Sequence, residues 1–401
     1  MLNKIIAVGI LLLLLIGGIY IITQDSAPPE ENIEEDISKI LLESVSLGSN
    51  YLEAATNEDG SFIYNYDAAT DTESSGYNML RHAGTIYSMM QSYNITGNEE
   101  VLTAAENAIE FLLSHMQPYV TASVIVYNDA IKLGGNALAI IALAEYTIVT
   151  GEETYLEDMQ NLAEYIKFSQ YESGKFISKR TASTDEIVDW DSSYYPGEAI
   201  LSLVRLNSID KDPEWLDIAE KAAKYLINVR DAGVQTYNMY HDHWLLMGLN
   251  ELYRQRNDSL YYNQAMRIAE AIMYCQRNGV INQPEHEEWL GSFYTSSAKS
   301  PTTPTTTQTA TRSEALVAAY QLSKDFGNKD MQDQIFDALS LAISFQLSTQ
   351  FTQENVKTLP NPQKALGGFH STLTDYTIQI DFVQHNICAI MGYYKIIKNH
   401  L

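Results

Sequence analysis

Two kinds of helix alternate along this chain, and that alternation limits the available folds more than any other feature. Apolar periodicity marks twelve helical segments, at residues 34–56, 78–95, 99–117, 136–150, 153–170, 197–208, 213–230, 242–256, 259–278, 312–326, 329–349 and 382–399. The first, third and every later odd segment is amphipathic, as in "EEVLTAAENAIEFLLSHM" and "PEWLDIAEKAAKYLINVR", with charge on one side only. The even segments are apolar nearly all round and rich in small residues, as in "NALAIIALAEY", "GEAILSLVRL" and "SEALVAAYQL". A helix with one wet face belongs outside, whereas one that is apolar all round must be enclosed. Six enclosed helices alternating with six half-exposed ones describe two concentric rings. The expected fold is an all-α (α/α)6 toroid of six helical hairpins over residues 34–401.

The connections differ at the two ends of such a toroid. Turns after enclosed helices are short: "NITGNE", "NSIDKD", "RQRNDS" and "DFGNKD". The returns are long, with the strand-like "YVTASVIVYNDAIKLGG" and the recurring "DGSF", "SGKF" and "GGFH". Elaborate loops gathered at one end mark that end for a site. The stretch "SSAKSPTTPTTTQTAT", residues 296–311, is low in complexity and reads as a mobile surface loop.

Ahead of the toroid, "MLNKIIAVGILLLLLIGGIYIITQ" holds an uncharged run from Ile5 to Ile22, long enough to cross a bilayer. Lys4 precedes the run and a string of acidic residues from Asp25 follows it. The expectation is a single-pass membrane anchor at 1–24, an acidic linker at 25–33, a cytoplasmic N-terminus and a toroid outside the cell membrane. The net charge of −26 argues against nucleic acid as a partner, since phosphate binding needs clustered Lys and Arg. Cys275 and Cys388 lie among apolar neighbours and read as buried thiols.

Polar residues of the enclosed helices cluster at their starts. The second helix brings Tyr77, Asn78, Arg81 and His82, and the fourth brings Asn136. The sixth brings Tyr194, Tyr195 and Glu198, preceded by Asp189, Trp190 and Asp191. The eighth brings His241, Asp242, His243 and Trp244, the tenth Arg312 and Glu314, and the twelfth Asp381, Gln384 and His385. Singly, each has a plainer account. Glu198 and Glu314 suit the positive end of a helix, worth a few tenths to about 1 kcal/mol. Asp242 and Asp381 suit N-caps, and each histidine suits a hydrogen-bonded core position. Caps, however, need no His, Arg, Trp and Tyr beside them, so together these residues read as a ring around one cavity.

With "DWDSSYYPGEA", "YHDHW" and "TATRSEA" at its inner-helix starts, the chain resembles the six-hairpin glycosidase-like superfamily. That superfamily includes glycoside hydrolases, unsaturated glucuronyl hydrolases, polysaccharide lyases and N-acylglucosamine 2-epimerases. The resemblance implies a carbohydrate substrate, and no single family's catalytic motif matches these positions. Hydrolysis needs two carboxylates flanking a glycosidic bond. Glu198 and Asp242 are the first choices because they open adjacent inner helices among aromatic residues, with His243 a further catalytic candidate. Trp190, Tyr194, Tyr195 and Trp244 are candidate stacking faces for sugar rings, and Arg81 and Arg312 suit an anionic group such as a uronic acid. His82, Asp191, Glu314, Asp381 and His385 complete the candidate substrate-binding set. Proton abstraction by His82, His243 and His385, as in an epimerase or lyase, is the alternative chemistry. A membrane-tethered glycan-binding or envelope-assembly protein is the non-catalytic one. No cofactor or metal is expected, because the two histidines of "HDH" would point apart on a helix.

Overall fold

The structure, a computed structural model, describes residues 30–398. Its helices are α1 (Glu30–Ala54), α2 (Met79–Thr96), α3 (Glu99–Leu113), α4 (Leu133–Thr150), α5 (Leu156–Phe168) and α6 (Tyr195–Asp210). There follow α7 (Pro213–Tyr225), α8 (His243–Arg256), α9 (Ser259–Tyr274), α10 (Thr306–Asp325), α11 (Lys329–Leu347) and α12 (Ile380–Lys398). The even-numbered helices pack side by side in the order α2, α4, α6, α8, α10, α12, and α12 closes back on α2. Each odd-numbered helix lies outside against its own hairpin partner, with α1 set against α12. The expected alternation of enclosed and half-exposed helices is therefore a closed double ring. Because one outer helix runs back between each inner pair, all six inner helices point the same way.

A small repeated device makes the tight turns. Gly97, Lys211, Asn257 and Gly327 each take a left-handed conformation, with φ between 40° and 69°. Each is followed at once by Asn98, Asp212, Asp258 or Asn328, whose side chain caps the next outer helix. A left-handed residue ends one helix and an Asn or Asp starts the next, so two residues reverse the chain. Just inside this end, the Arg205 guanidinium bridges Glu145 at 3.0 Å and Glu251 at 2.9 Å, joining α4, α6 and α8.

At the opposite end the returns form two small sheets. In one, β1 (Asn65–Asp67) pairs antiparallel with β2 (Thr72–Glu73) and with a strand at Thr377–Gln379 just before α12, tying the first hairpin to the last. In the other, β3 (Met116–Tyr119), β4 (Ala122–Tyr127), β5 (Ala130–Lys132) and β6 (Lys179–Thr181) follow one another antiparallel. The expected strand-like stretch from Tyr119 to Gly135 is thus β4 and β5 with their turns.

The recurring glycine stretches space the outer ring. Gly60, Gly174, Gly291 and Gly367 all have φ between 82° and 95°. A Cβ on any of them would come within 2.0–2.4 Å of a backbone carbonyl oxygen on the neighbouring outer helix: Asn107, Lys221, Leu341 and Leu47 respectively. In three of these returns a glutamine stitches the same seam. Gln170, Gln276 and Gln350 donate to the carbonyls of Ile218, Ala338 and Ser44, each three residues before the carbonyl that the glycine meets. Gly367→Ala should therefore combine left-handed strain with a backbone overlap. The expected loss is about 2–4 kcal/mol in denaturant unfolding, against less than about 0.5 kcal/mol for Ala at exposed Gly76.

Two expectations change on contact with the structure. Residues 30–33, read as linker, already belong to α1, while the anchor at 1–24 lies outside the described residues. Among the described residues one helix, α4, is long and apolar enough to cross a membrane, and it is enclosed in the inner ring. The threonine-rich stretch at 296–311 is not a mobile loop throughout. Its last six residues are the first turns of α10, where Thr306 and Thr309 are wholly buried. Thr305 caps that helix by accepting from the Gln308 N–H, and Thr306 Oγ1 meets Thr349 Oγ1 at 2.7 Å. Composition misleads here because a small β-branched hydroxyl residue can satisfy its own polarity inside a helix.

Candidate active site

The early start of α10 sets the depth of the site. Glu314 lies more than two turns into α10, well below the mouth, where it meets residues from the starts of α8 and α12. Its Oε1 is 2.7 Å from His385 Nδ1. The His385 ring stands edge-on to the His243 ring, with centroids 5.3 Å apart. Among the described residues, both ring nitrogens of His243 and the Glu314 Oε2 are buried without a hydrogen-bond partner. Trp244 packs on both histidines, at 4.8 Å and 6.3 Å between ring centres, and Tyr87 lies beyond it. The cluster thus holds two neighbouring histidines, one bound to a carboxylate and one whose buried ring nitrogens have no partner among the described residues.

Electrostatics separate the two rings. Burial, then the nearby His385 and the Arg312 guanidinium, hold His243 well below the usual histidine range, so it is neutral at physiological pH. Burial pushes Glu314 up, and the charge and then the hydrogen bond of His385 pull it partly back. A carboxylate on Nδ1 fixes the His385 tautomer and turns its Nε2 away from Glu314.

Arg312 has no carboxylate within ion-pairing range among the described residues. Its guanidinium donates to His241 Nδ1 at 2.9 Å and to the carbonyls of Gln308 and Thr295. Burial lowers it to about 10. Arg81 is committed instead: it pairs with Asp381 at 3.1 Å and donates to Tyr64 and Gln379. Asp381 Oδ1 remains buried without a partner among the described residues.

The two carboxylates expected to flank a glycosidic bond lie in the wall. Glu198 is 4% exposed and Asp242 is closed to solvent. Asp242 Oδ1 accepts from the Leu245 N–H, the anticipated N-cap of α8, while Asp242 Oδ2 and Glu198 Oε2 have no partner among the described residues. Two glycines bring them there. A Cβ on Gly134 would fall 2.1 Å from Glu198 Oε2, and one on Gly197 would fall 2.5 Å from the Leu245 nitrogen. Burial, then the Asp242 charge, pushes Glu198 well up, and burial pushes Asp242 up to about 7.

That shift has a stability consequence. Because the folded-state pKa lies above the unfolded one, the stabilisation is present at low pH and is lost as pH rises towards 7. Asp242→Asn keeps the cap oxygen and removes the buried charge. The variant should unfold at the same denaturant concentration as the parent at pH 4. At pH 8 it should be more stable by roughly 2–4 kcal/mol.

The remaining candidates divide between core and rim. His82 does not face the site: its ring nitrogens meet Tyr77 Oη at 2.7 Å and the Ala108 carbonyl at 2.8 Å, among Phe62 and Phe111. It is a core histidine, which burial lowers to about 4. Asp191 is exposed on the rim and pairs with Lys175 at 2.6 Å. Trp190 and Tyr194 are 49% and 39% exposed, and Tyr195 packs against Trp190. Tyr240, which sequence reasoning missed, extends this rim by packing on Tyr194, which in turn touches His243. The density of aromatics in "YNMYHDHW" was its only signal. For a metal, "HDH" does not chelate, since His241 is held by Arg312. His243, Glu314 and His385 do offer three donor atoms within 4.8 Å of one another.

No protein-family model matches the chain, and no curated protein matches it in sequence. Solved structures do match in fold. A D-mannose isomerase superposes with a TM-score of 0.67 at 13% identity, over 91% of this chain and 98% of that one. A cellobiose 2-epimerase from Bacillus thermoamylovorans gives 0.66 at 13% identity, over 91% and 100%. An unsaturated glucuronyl hydrolase specific for heparin gives 0.60 at 14% identity, over 90% and 98%. In its closed double ring of hairpins, with the loops gathered at one end, this chain shares the fold of these solved structures.

Proposed function

We propose that the protein is a carbohydrate-active enzyme that moves a proton at a sugar carbon, as an epimerase or aldose–ketose isomerase. The observation that carries this reading is the neighbouring histidine pair, with His243 neutral and without a partner on either nitrogen among the described residues and His385 bound to Glu314. A neutral imidazole accepts a proton from the carbon next to a carbonyl. A second imidazole, when it carries a proton on each nitrogen with its Nδ1–H on the carboxylate, delivers its Nε2 proton to the opposite face or to the neighbouring carbon and is left neutral. Arg312, a buried cation without a carboxylate partner, suits the oxygen that gains charge as the enediolate forms. The exposed Trp190, Tyr194 and Tyr240 supply flat faces for a sugar ring at the mouth.

Hydrolysis, favoured first on sequence grounds, has less support from the geometry. Asp242 is committed to its helix cap and shut from solvent, so it does not flank an open cleft. The discriminating experiment is incubation with aldoses and disaccharides in D2O, followed by NMR. Deuterium entering at C2 together with a new epimer or ketose is the expected result. New reducing ends without deuterium at C2 would overturn it in favour of hydrolysis.

The cellular setting belongs to the same proposal. The uncharged run from Ile5 to Ile22 supports a single-pass anchor that holds the toroid outside the cell membrane. Protease protection of the intact cell's cytoplasmic face, with digestion of the toroid from outside, is the expected outcome.

A further inference from the structure

Between the starts of α2 and α4, at the long-loop end, two lysines face the same way with nothing to neutralise them. Lys132 on β5 and Lys179 on β6 are directly opposite in the antiparallel register, so their side chains leave the sheet on one face. Like charges placed directly across a strand pair repel. In a chain with 51 acidic and 25 basic residues, an acidic neighbour would be the ordinary remedy. Lys175 has one in Asp191, and Lys364 has one in Glu73. Among the described residues no carboxylate lies within 4 Å of either Lys132 or Lys179. The nearest acidic residue along β5, Asp129, spends both oxygens on Ser183. Partial burial, then Lys179, lowers the Lys132 amine, as expected for a cation without a partner.

Both lysines line a cavity of about 220 Å3, together with Tyr77, Asn78, Tyr127 and Asn128. Asn78 caps α2, so the positive end of an eighteen-residue helix adds to the field of the amines. The volume is below the ~300–1,000 Å3 of drug-sized sites, which limits the occupant to a unit near the size of one sugar ring. Gly135 lines the same cavity, and the adjoining Gly134 touches Glu198 and Tyr195 of the site wall.

We propose that the Lys132–Lys179 pocket is a subsite for a sugar unit bearing a single anionic substituent, a carboxylate or a sulfate ester. This rests on the sugar-processing reading and names the substrate class: an acidic saccharide whose charged unit sits between α2 and α4. Arg81 is ion-paired with Asp381, so it is not the free cation that the sequence suggested for this purpose.

The test separates this subsite from the proton-transfer chemistry by using the full-length protein with His243→Asn, in which turnover is strongly slowed. Calorimetric titration compares sodium D-glucuronate, glucose 6-sulfate, the neutral methyl ester of glucuronic acid, and inorganic sulfate. The two charged sugars should bind at least tenfold more tightly than the ester, and the preference should shrink as salt rises. Lys132→Gln with Lys179→Gln, added to the same protein, should abolish the preference while leaving the melting temperature unchanged or higher. Equal binding of acid and ester, or a preference that survives the double substitution, would overturn the proposal. So would inorganic sulfate binding as tightly as the charged sugars, since the pocket would then be an anion site only. Failure of the proton-transfer reading appears elsewhere, as absence of deuterium at C2 in the unsubstituted enzyme.

Discussion

His243→Asn is expected to lower deuterium exchange at C2 by about 10²–10⁴-fold while leaving the melting temperature within a degree or two of the parent. The two halves of that expectation come from one observation, the absence of any hydrogen-bond partner for either ring nitrogen among the described residues. A buried polar group that is paired contributes to stability, and its removal leaves a partner orphaned. An unpaired one contributes nothing through hydrogen bonding, so its loss is nearly neutral. His82 is the control. It occupies a comparable place in α2 but bonds Tyr77 and Ala108 and packs among aromatic rings. His82→Asn should cost about 2–4 kcal/mol of stability and leave the exchange rate of the folded protein largely intact. The pH profile adds a further check. Because His243 is held well below the ordinary range, the acid limb of kcat/KM should fall at a lower pH than free histidine would give. If His243→Asn retains activity and loses stability, the ring is structural and the catalytic assignment fails.

How far the sequence could carry these conclusions depends on what kind of interaction decides each feature. The double ring was legible because burial is a property of whole helices. Five to ten apolar residues at helical spacing outweigh any single exception. The tight turns were legible for a similar reason, since Gly-Asn and Asn-Asp pairs are local chemistry. Site membership was only half legible. His243, Glu314, His385, Arg312 and the exposed aromatics do gather at one end, and Arg81 and Asp381 do meet. His82, which the sequence places one residue after Arg81, turns into the core instead, because a helix rotates about 100° per residue and nothing in composition gives the phase. Glu198 and Asp242 looked like an acid pair because they open adjacent helices. Their closure in the wall follows from Gly134 and Gly197, whose missing side chains let the helix starts approach. Lys132 and Lys179 lie 47 positions apart, and only the strand register brings them together.

Arg205 shows the same dependence on partners that sequence does not display, and it carries the largest stability effect expected in the molecule. One guanidinium holds Glu145 of α4 and Glu251 of α8, and it also lies over the Tyr87 ring at 5.0 Å. Arg205 and Glu145 are each 8% exposed, so neither is screened by water. Even with the arginine present, burial holds Glu145 above the ordinary glutamate range, the Arg205 charge only partly offsetting it. Arg205→Met fills much of the same volume but takes from two carboxylates the guanidinium that joins them, which should cost about 3–5 kcal/mol near neutral pH. The sign of the pH dependence follows. With the arginine gone, the folded-state pKa of Glu145 rises further above its unfolded value, so the variant regains stability as pH falls and the carboxyl is protonated. The deficit should be largest above pH 7 and should shrink towards pH 4. Adding Glu145→Gln and Glu251→Gln to Arg205→Met should recover most of the loss, because the cost lies in the two carboxylate charges that lose the guanidinium. Denaturant unfolding of the three proteins at pH 4, 6 and 8 distinguishes the cases. A loss independent of pH, unrecovered by the glutamines, would mean that Arg205 acts through packing on Tyr87, with the ion pairs incidental.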